Sequence, residues 1–134
     1  MATLRWAEIC DHVILEQRGK VGIIGMFDQI NARGFPAEHP DFWVACKMEG
    51  YPKEKIQIEI SIIGPDGEIM ASIGPIESFA SDSGHAFLGG RIFRPKFPKP
   101  GRYEIRIRPA GNPATSLFLN LVQLPASEQS QQQS

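Results

Sequence analysis

Apolar and polar residues alternate along most of this chain with a period close to two. The clearest case is KIQIEISII, where Ile56, Ile58, Ile60 and Ile62 are separated by Gln57, Glu59 and Ser61. That pattern puts one face of a strand in a core and the other in water. PGRYEIRI behaves alike, with Tyr103, Ile105 and Ile107 on one face and Arg102, Glu104, Arg106 and Arg108 on the other. Further strands are expected over 3–10, 12–16, 21–30, 42–48, 68–73, 85–93 and 116–124. Turn chemistry punctuates them: RGK at 18–20, EGYP at 49–52, GPDGE at 64–68, PKPG at 98–101 and AGNP at 110–113. In these turns proline presets φ and glycine supplies positive φ.

No window shows helical periodicity, and no crossover helix separates the strands. Seven to nine short strands without helices predict an all-β fold, a single antiparallel β-sandwich of immunoglobulin-like architecture over residues 1–124. The polar stretch ending in ASEQSQQQS predicts a disordered tail over 125–134. Two long connections, Asn31–Asp41 and Gly74–Gly84, are the first places to look for a site, because loops at sandwich ends carry most binding residues.

Gly101, Arg102 and Tyr103 resemble the tyrosine corner of immunoglobulin-like domains, where a Gly-x-Tyr enters a strand and the phenol bonds back to the backbone. Ile105 stands where antibody domains place a cysteine, so no inter-sheet disulfide is expected. The segments CDHVI, GKVGIIGMFD and GFPAEHP, followed by strands and PGRY, resemble a family of small bacterial proteins of unknown function. The resemblance spans residues 3–124. It implies the sandwich fold and a bacterial, cytosolic origin, and it implies no catalytic residue.

The composition, 134 residues with 42% hydrophobic, suits one domain with its own core. Basic and acidic residues number 14 and 15. That balance argues against a general nucleic-acid or membrane-surface binder. The N-terminal segment mixes charges into every few positions and predicts no signal peptide, and no apolar run approaches membrane-spanning length. A cytoplasmic address is expected, in which Cys10 and Cys46 are buried thiols rather than a disulfide.

Candidate chemistry is sparse. His12, His39 and His85 lack partner ligands at metal-binding spacing, so neither metal nor cofactor is expected. Cys10, Asp11 and His12 are consecutive on a strand and read as a polar kink. SDSGH reads as a turn, since its serine lies in no nucleophile elbow. PDGE reads as a hairpin turn, and GKVGIIG lacks the phosphate-loop spacing. No catalytic residue is assigned, and the chain is expected to be non-enzymatic.

Charge distribution is more informative. Residues 91–108 hold Arg91, Arg94, Lys96, Lys99, Arg102, Arg106 and Arg108 against Glu104 alone, leaving the remainder of the chain acidic. Gathered on one face, they would suit an acidic partner or a second copy. VGIIGMFDQI is apolar on both parities, with Ile24, Met26 and Ile30 on one of them. A strand of that kind is covered on both faces or presents an apolar patch. The expected interaction surface therefore comprises Arg91, Arg94, Arg102, Arg106, Arg108, Ile24, Met26 and Ile30. It marks a protein-interaction or assembly module whose partner is another protein or itself. A carbohydrate or small-ligand sandwich, with Trp43, Tyr51 or Phe79 as stacking platforms, is the alternative, and an enzyme with a spatially assembled site is the third reading.

Overall fold

The computed structural model describes residues 2–16 and 20–125. The fold is all-β, with no helix among the described residues and eleven strands rather than seven to nine. The strands are β1 (Thr3–Leu15), β2 (Val21–Met26), β3 (Gln29–Ala32), β4 (Ala37–Glu38), β5 (Phe42–Glu49), β6 (Lys55–Ile63), β7 (Ile69–Phe79), β8 (His85–Ile92), β9 (Lys96–Phe97), β10 (Gly101–Pro109) and β11 (Thr115–Gln123). They form a four-stranded sheet in the order β2-β1-β5-β8, a five-stranded sheet in the order β3-β11-β10-β6-β7, and the short pair β4-β9.

Alternation decides what each strand buries. Phe42, Val44, Cys46 and Met48 of β5 point inward with Leu88 and Ile92 of β8. From the other sheet come Ile56, Ile58, Ile60 and Ile62 of β6, Tyr103, Ile105 and Ile107 of β10, and Leu119 and Leu121 of β11, all in the same buried cluster. Each such side chain withdrawn from water contributes about 1.5–3 kcal/mol before the entropy of ordering is subtracted. The approach is close at Gly90 of β8, where a Cβ would lie 2.7 Å from Ile60 Cδ1 and 3.2 Å from Ile76 Cδ1. The bond expected of Tyr103 is present, its hydroxyl donating to the Lys99 carbonyl at 2.7 Å.

Four expectations are corrected. The strands foreseen at 3–10 and 12–16 are one, β1, and the CDH segment lies inside it. The strand foreseen at 21–30 is two, because the chain leaves the four-stranded sheet after Met26 and joins the edge of the other as β3. There β3 runs parallel to β11, and the Asn120 N–H donates to the Asp28 carbonyl at 2.9 Å, so the sheets are not purely antiparallel. Finally, the second long loop is largely strand, since β7 continues to Phe79 across Gly74-Pro75. The register against β6 shifts between Ile58 and Ile60, which accommodates a proline lacking an N–H on an edge strand. Arg18 and Gly19 of the first turn, and the tail from Ala126, lie outside the described residues.

Candidate functional site

β1 is longer than its neighbour requires. Residues Thr3 to Cys10 pair with β5, whereas Cys10 to Leu15 pair with β2. The β1–β2 hairpin is therefore an arm, and it lies against the outer face of the four-stranded sheet. Val13 and Leu15 border one hollow with Trp43, Phe87 and Gly89, while Val21 borders another with Trp6, Lys47 and Phe87. Gly25 permits the bend: its φ is +75°, and a Cβ there would meet Asp11 Oδ2 at 2.5 Å.

The arm leaves apolar side chains in water. Ile14 and Ile24 are 51% exposed, Met26 is 64% and Leu15 is 70%. Ile30, expected beside Ile24 and Met26, is instead buried, because crossing into the second sheet turns it into the core.

Beside the arm's base opens a cleft of about 690 Å³ lined by Asp11, His12, Glu38, His39, Pro40, Asp41, Trp43, Arg91 and Arg94. Four of these close the Asn31–Asp41 connection, one of the two loops singled out from sequence. Asp41 organises it. One carboxylate oxygen accepts the Arg94 backbone N–H at 2.7 Å, and the other accepts Arg91 Nη2. The Arg94 N–H bond, aided by the Arg91 guanidinium and opposed by partial desolvation, holds the Asp41 carboxyl below its ordinary value. Arg94 Nε stands 3.9 Å from Glu38. The His39 ring lies 5.7 Å from that of Phe27 and 5.9 Å from that of Phe42, with Nδ1 2.7 Å from the Pro40 carbonyl. Asp11 has no hydrogen-bond or ion-pair partner among the described residues.

The arginines do not form one face. Arg91, across from Trp43, and Arg94, just beyond β8, belong to the four-stranded sheet, whereas Arg102, Arg106 and Arg108 line the outer face of β10 in the other. Several are committed locally. Arg106 donates to Glu104 at 3.1 Å, and Arg102 lies 3.6 Å over the Phe118 ring. Arg108 stands opposite Glu59 in the β10–β6 register. Of the aromatic candidates, Trp43 lines the cleft and Tyr51 and Phe79 are exposed elsewhere. The arm was missed because its apolar residues carry no period that distinguishes it from a two-sided buried strand.

Cys10 and Cys46 are free and buried. They stand on neighbouring strands three pairs apart and differ in face, since Cys10 pairs with Trp43 while Cys46, opposite Ala7, belongs to the inner cluster. Burial pushes the Cys46 thiol up to about 12 and raises Cys10, to which Asp11 and Glu8 add. Such thiols are not poised as nucleophiles. No group of three or more potential metal ligands occurs among the described residues. No helix among them is long and apolar enough to cross a membrane.

Residues 5–122 match a family model described as a family of unknown function, DUF6941. No curated protein matches the chain. Among solved structures it is similar to part of Pseudomonas fluorescens alkylpurine DNA glycosylase AlkC bound to DNA containing an abasic site analogue. There the identity is 12% and the TM-score 0.51, covering 87% of this chain and 30% of the glycosylase. It is also similar to part of the Listeria innocua β-glucosidase in complex with isofagomine, at 8% identity and TM-score 0.48, covering 92% of this chain and 17% of that one. This chain thus spans less than a third of either protein, and likeness at such identity concerns the fold alone.

Proposed function

We propose, for a chain that belongs to the DUF6941 family of unknown function, that it is a non-enzymatic protein-interaction module built on an immunoglobulin-like β-sandwich. Two sheets contributing to one core, the Tyr103 bond to Lys99 and the partial likeness to the glycosylase support the sandwich reading. Family membership brings no activity with it, so the functional reading rests on the chain's own surface.

A single observation carries it: the β1–β2 arm holds Ile14 and Leu15 on β1, and Ile24 and Met26 on the edge strand β2, at exposures of 51% to 70%. Soluble proteins commonly blunt such edges with lysine, proline or inward charges, and β2, reading VGIIGM, has none. An apolar edge kept in water costs stability and invites aggregation unless another chain covers it. The occupant is another protein chain, with a second copy included in that class.

Site-specific photo-crosslinking tests this in cells making the protein at native level. A photoreactive residue at Met26 captures a protein of defined mass, while the same residue at exposed Tyr51 does not. Equal capture at both positions, or capture at neither, overturns the proposal. An adduct of twice the chain's mass identifies a second copy.

A further inference from the structure

The outer face of the four-stranded sheet carries a trough that its role as an interaction surface does not explain. Three cross-strand rows build it. Trp6, Lys47 and Phe87 form one row, with the Trp6 and Phe87 rings 5.9 Å apart. Cys10, Trp43 and Arg91 form the third. Between them run Glu8, Ala45 and Gly89; Glu8 stands at the β1 end, and Ala45 and Gly89 contribute almost no side chain, so that part of the row is a depression between aromatic walls. The Trp43 ring leans over it, 3.4 Å from where a Gly89 Cβ would stand.

The arm roofs this depression. Val13, Leu15, Trp43, Phe87 and Gly89 border an open hollow of about 280 Å³ whose side chains are all apolar. At roughly 30 Å³ per water-sized group, that space takes about nine heavy atoms. Trp43 belongs also to the polar cleft, so the apolar hollow and the charged cleft meet at one indole.

The cleft selects the other end of a ligand. Arg91 is held by Asp41, and Arg94 stands beside Glu38, so both cations already face carboxylates. With His12 and His39 neutral, Asp11, Glu38 and Asp41 outnumber Arg91 and Arg94 by one negative charge. Among the described residues, the carboxylate of the cleft without a hydrogen-bond or ion-pair partner is Asp11, on the cleft wall against Gly25. A carboxylate beside an aromatic face accepts a cation and repels an anion.

We infer that the trough and cleft together bind a small amphiphilic amine, its apolar body between Trp43, Phe87 and the arm, and its ammonium group on Asp11. The site needs no change in the core, because both walls belong to paired strands. Binding does not rest on the protein-protein reading, although Leu15 borders the hollow and also belongs to the exposed surface that reading uses.

The test uses the full chain and its two tryptophans, Trp6 and Trp43, which line the two hollows beside the arm. Octylamine, octanol and octanoate are titrated against intrinsic fluorescence. Saturable octylamine binding, at least ten times tighter than octanoate, is the expected result. Asp11→Asn should erase the preference for the amine while leaving octanol binding unchanged. Val13→Phe, which fills the hollow, should abolish the response to all three. Should that variant misfold by circular dichroism, Leu15→Phe narrows the same space from an exposed position and should weaken binding. Octanoate binding as tightly as octylamine, an unchanged preference in Asp11→Asn, or no saturable signal overturns the inference.

Discussion

The Asp41 carboxylate accepts the backbone N–H of Arg94 at 2.7 Å, across 53 residues of sequence, where Arg94 adopts a φ of +38°. A side chain beyond Cβ is disfavoured in that conformation, so the bond from Asp41 holds a strained turn in place. It also ties the loop entering β5 to the loop leaving β8, the two edges of the cleft.

The acid side of stability should show this bond. Asp41 ionises more readily folded than unfolded, so its contribution is fully present above the unfolded value of 3.8 and is lost as pH falls through the lower folded value. Urea midpoints at about pH 7 and about pH 3 are therefore expected to differ less in Asp41→Asn than in the unaltered chain. An unchanged difference would show that Asp41 is not held below its ordinary value.

Replacing Arg94 with glycine separates strain from charge. Glycine adopts positive φ freely, so Arg94→Gly should recover backbone strain of about 1 kcal/mol even though it removes the side chain facing Glu38 at 3.9 Å. Chemical denaturation measures the balance. A clear loss of stability would show that the arginine side chain matters more than the turn.

Gly90 and Gly25 should fail differently. Gly90→Val drives methyl groups into Ile60 and Ile76 between the sheets, and overpacking of this kind costs about 1–3 kcal/mol of global stability. Gly25→Ala strains only the bend of the arm, so limited proteolysis should accelerate within 12–24 while the melting temperature moves less. Equal melting shifts for both variants would contradict an arm that opens separately from the core.

Tyr103→Phe removes one hydrogen bond from a wholly buried ring and leaves the Lys99 carbonyl without that donor. The expected cost is about 1–2 kcal/mol, read as a lowered melting temperature with an unchanged circular dichroism spectrum.

Both thiols should be silent in the native protein. With Cys46 at about 12 and Cys10 raised by burial, a thiol reagent at mildly alkaline pH should titrate neither, and both should react after unfolding. Rapid native reaction of one thiol would show that its covering segment opens readily.

Much of the fold was legible because alternation is a local property. Ile56 to Ile62 and Tyr103 to Ile107 could only be half-buried strands, and their inward residues are the observed core. The missing helical period excluded helices, and the spacing Gly101-x-Tyr103 located a buried phenol bonded to its own corner. Period two does not say which strand lies beside which, nor where a strand bends. VGIIGMFDQI was ambiguous for that reason: its two apolar parities serve an arm and then another sheet, and only the crossing at Phe27 and Asp28 sends Ile30 inward while Ile24 and Met26 face water. The arginines of 91–108 looked continuous in sequence, yet β8 and β10 belong to different sheets. The cleft was illegible altogether, since Asp11, Asp41 and Arg94 meet only through long-range pairing. The sequence by itself determined the strands and their buried faces, because side-chain alternation follows from backbone geometry. Tertiary structure alone decided the arm, the cleft and the separation of the arginines, because they arise from contacts between segments that no local pattern encodes.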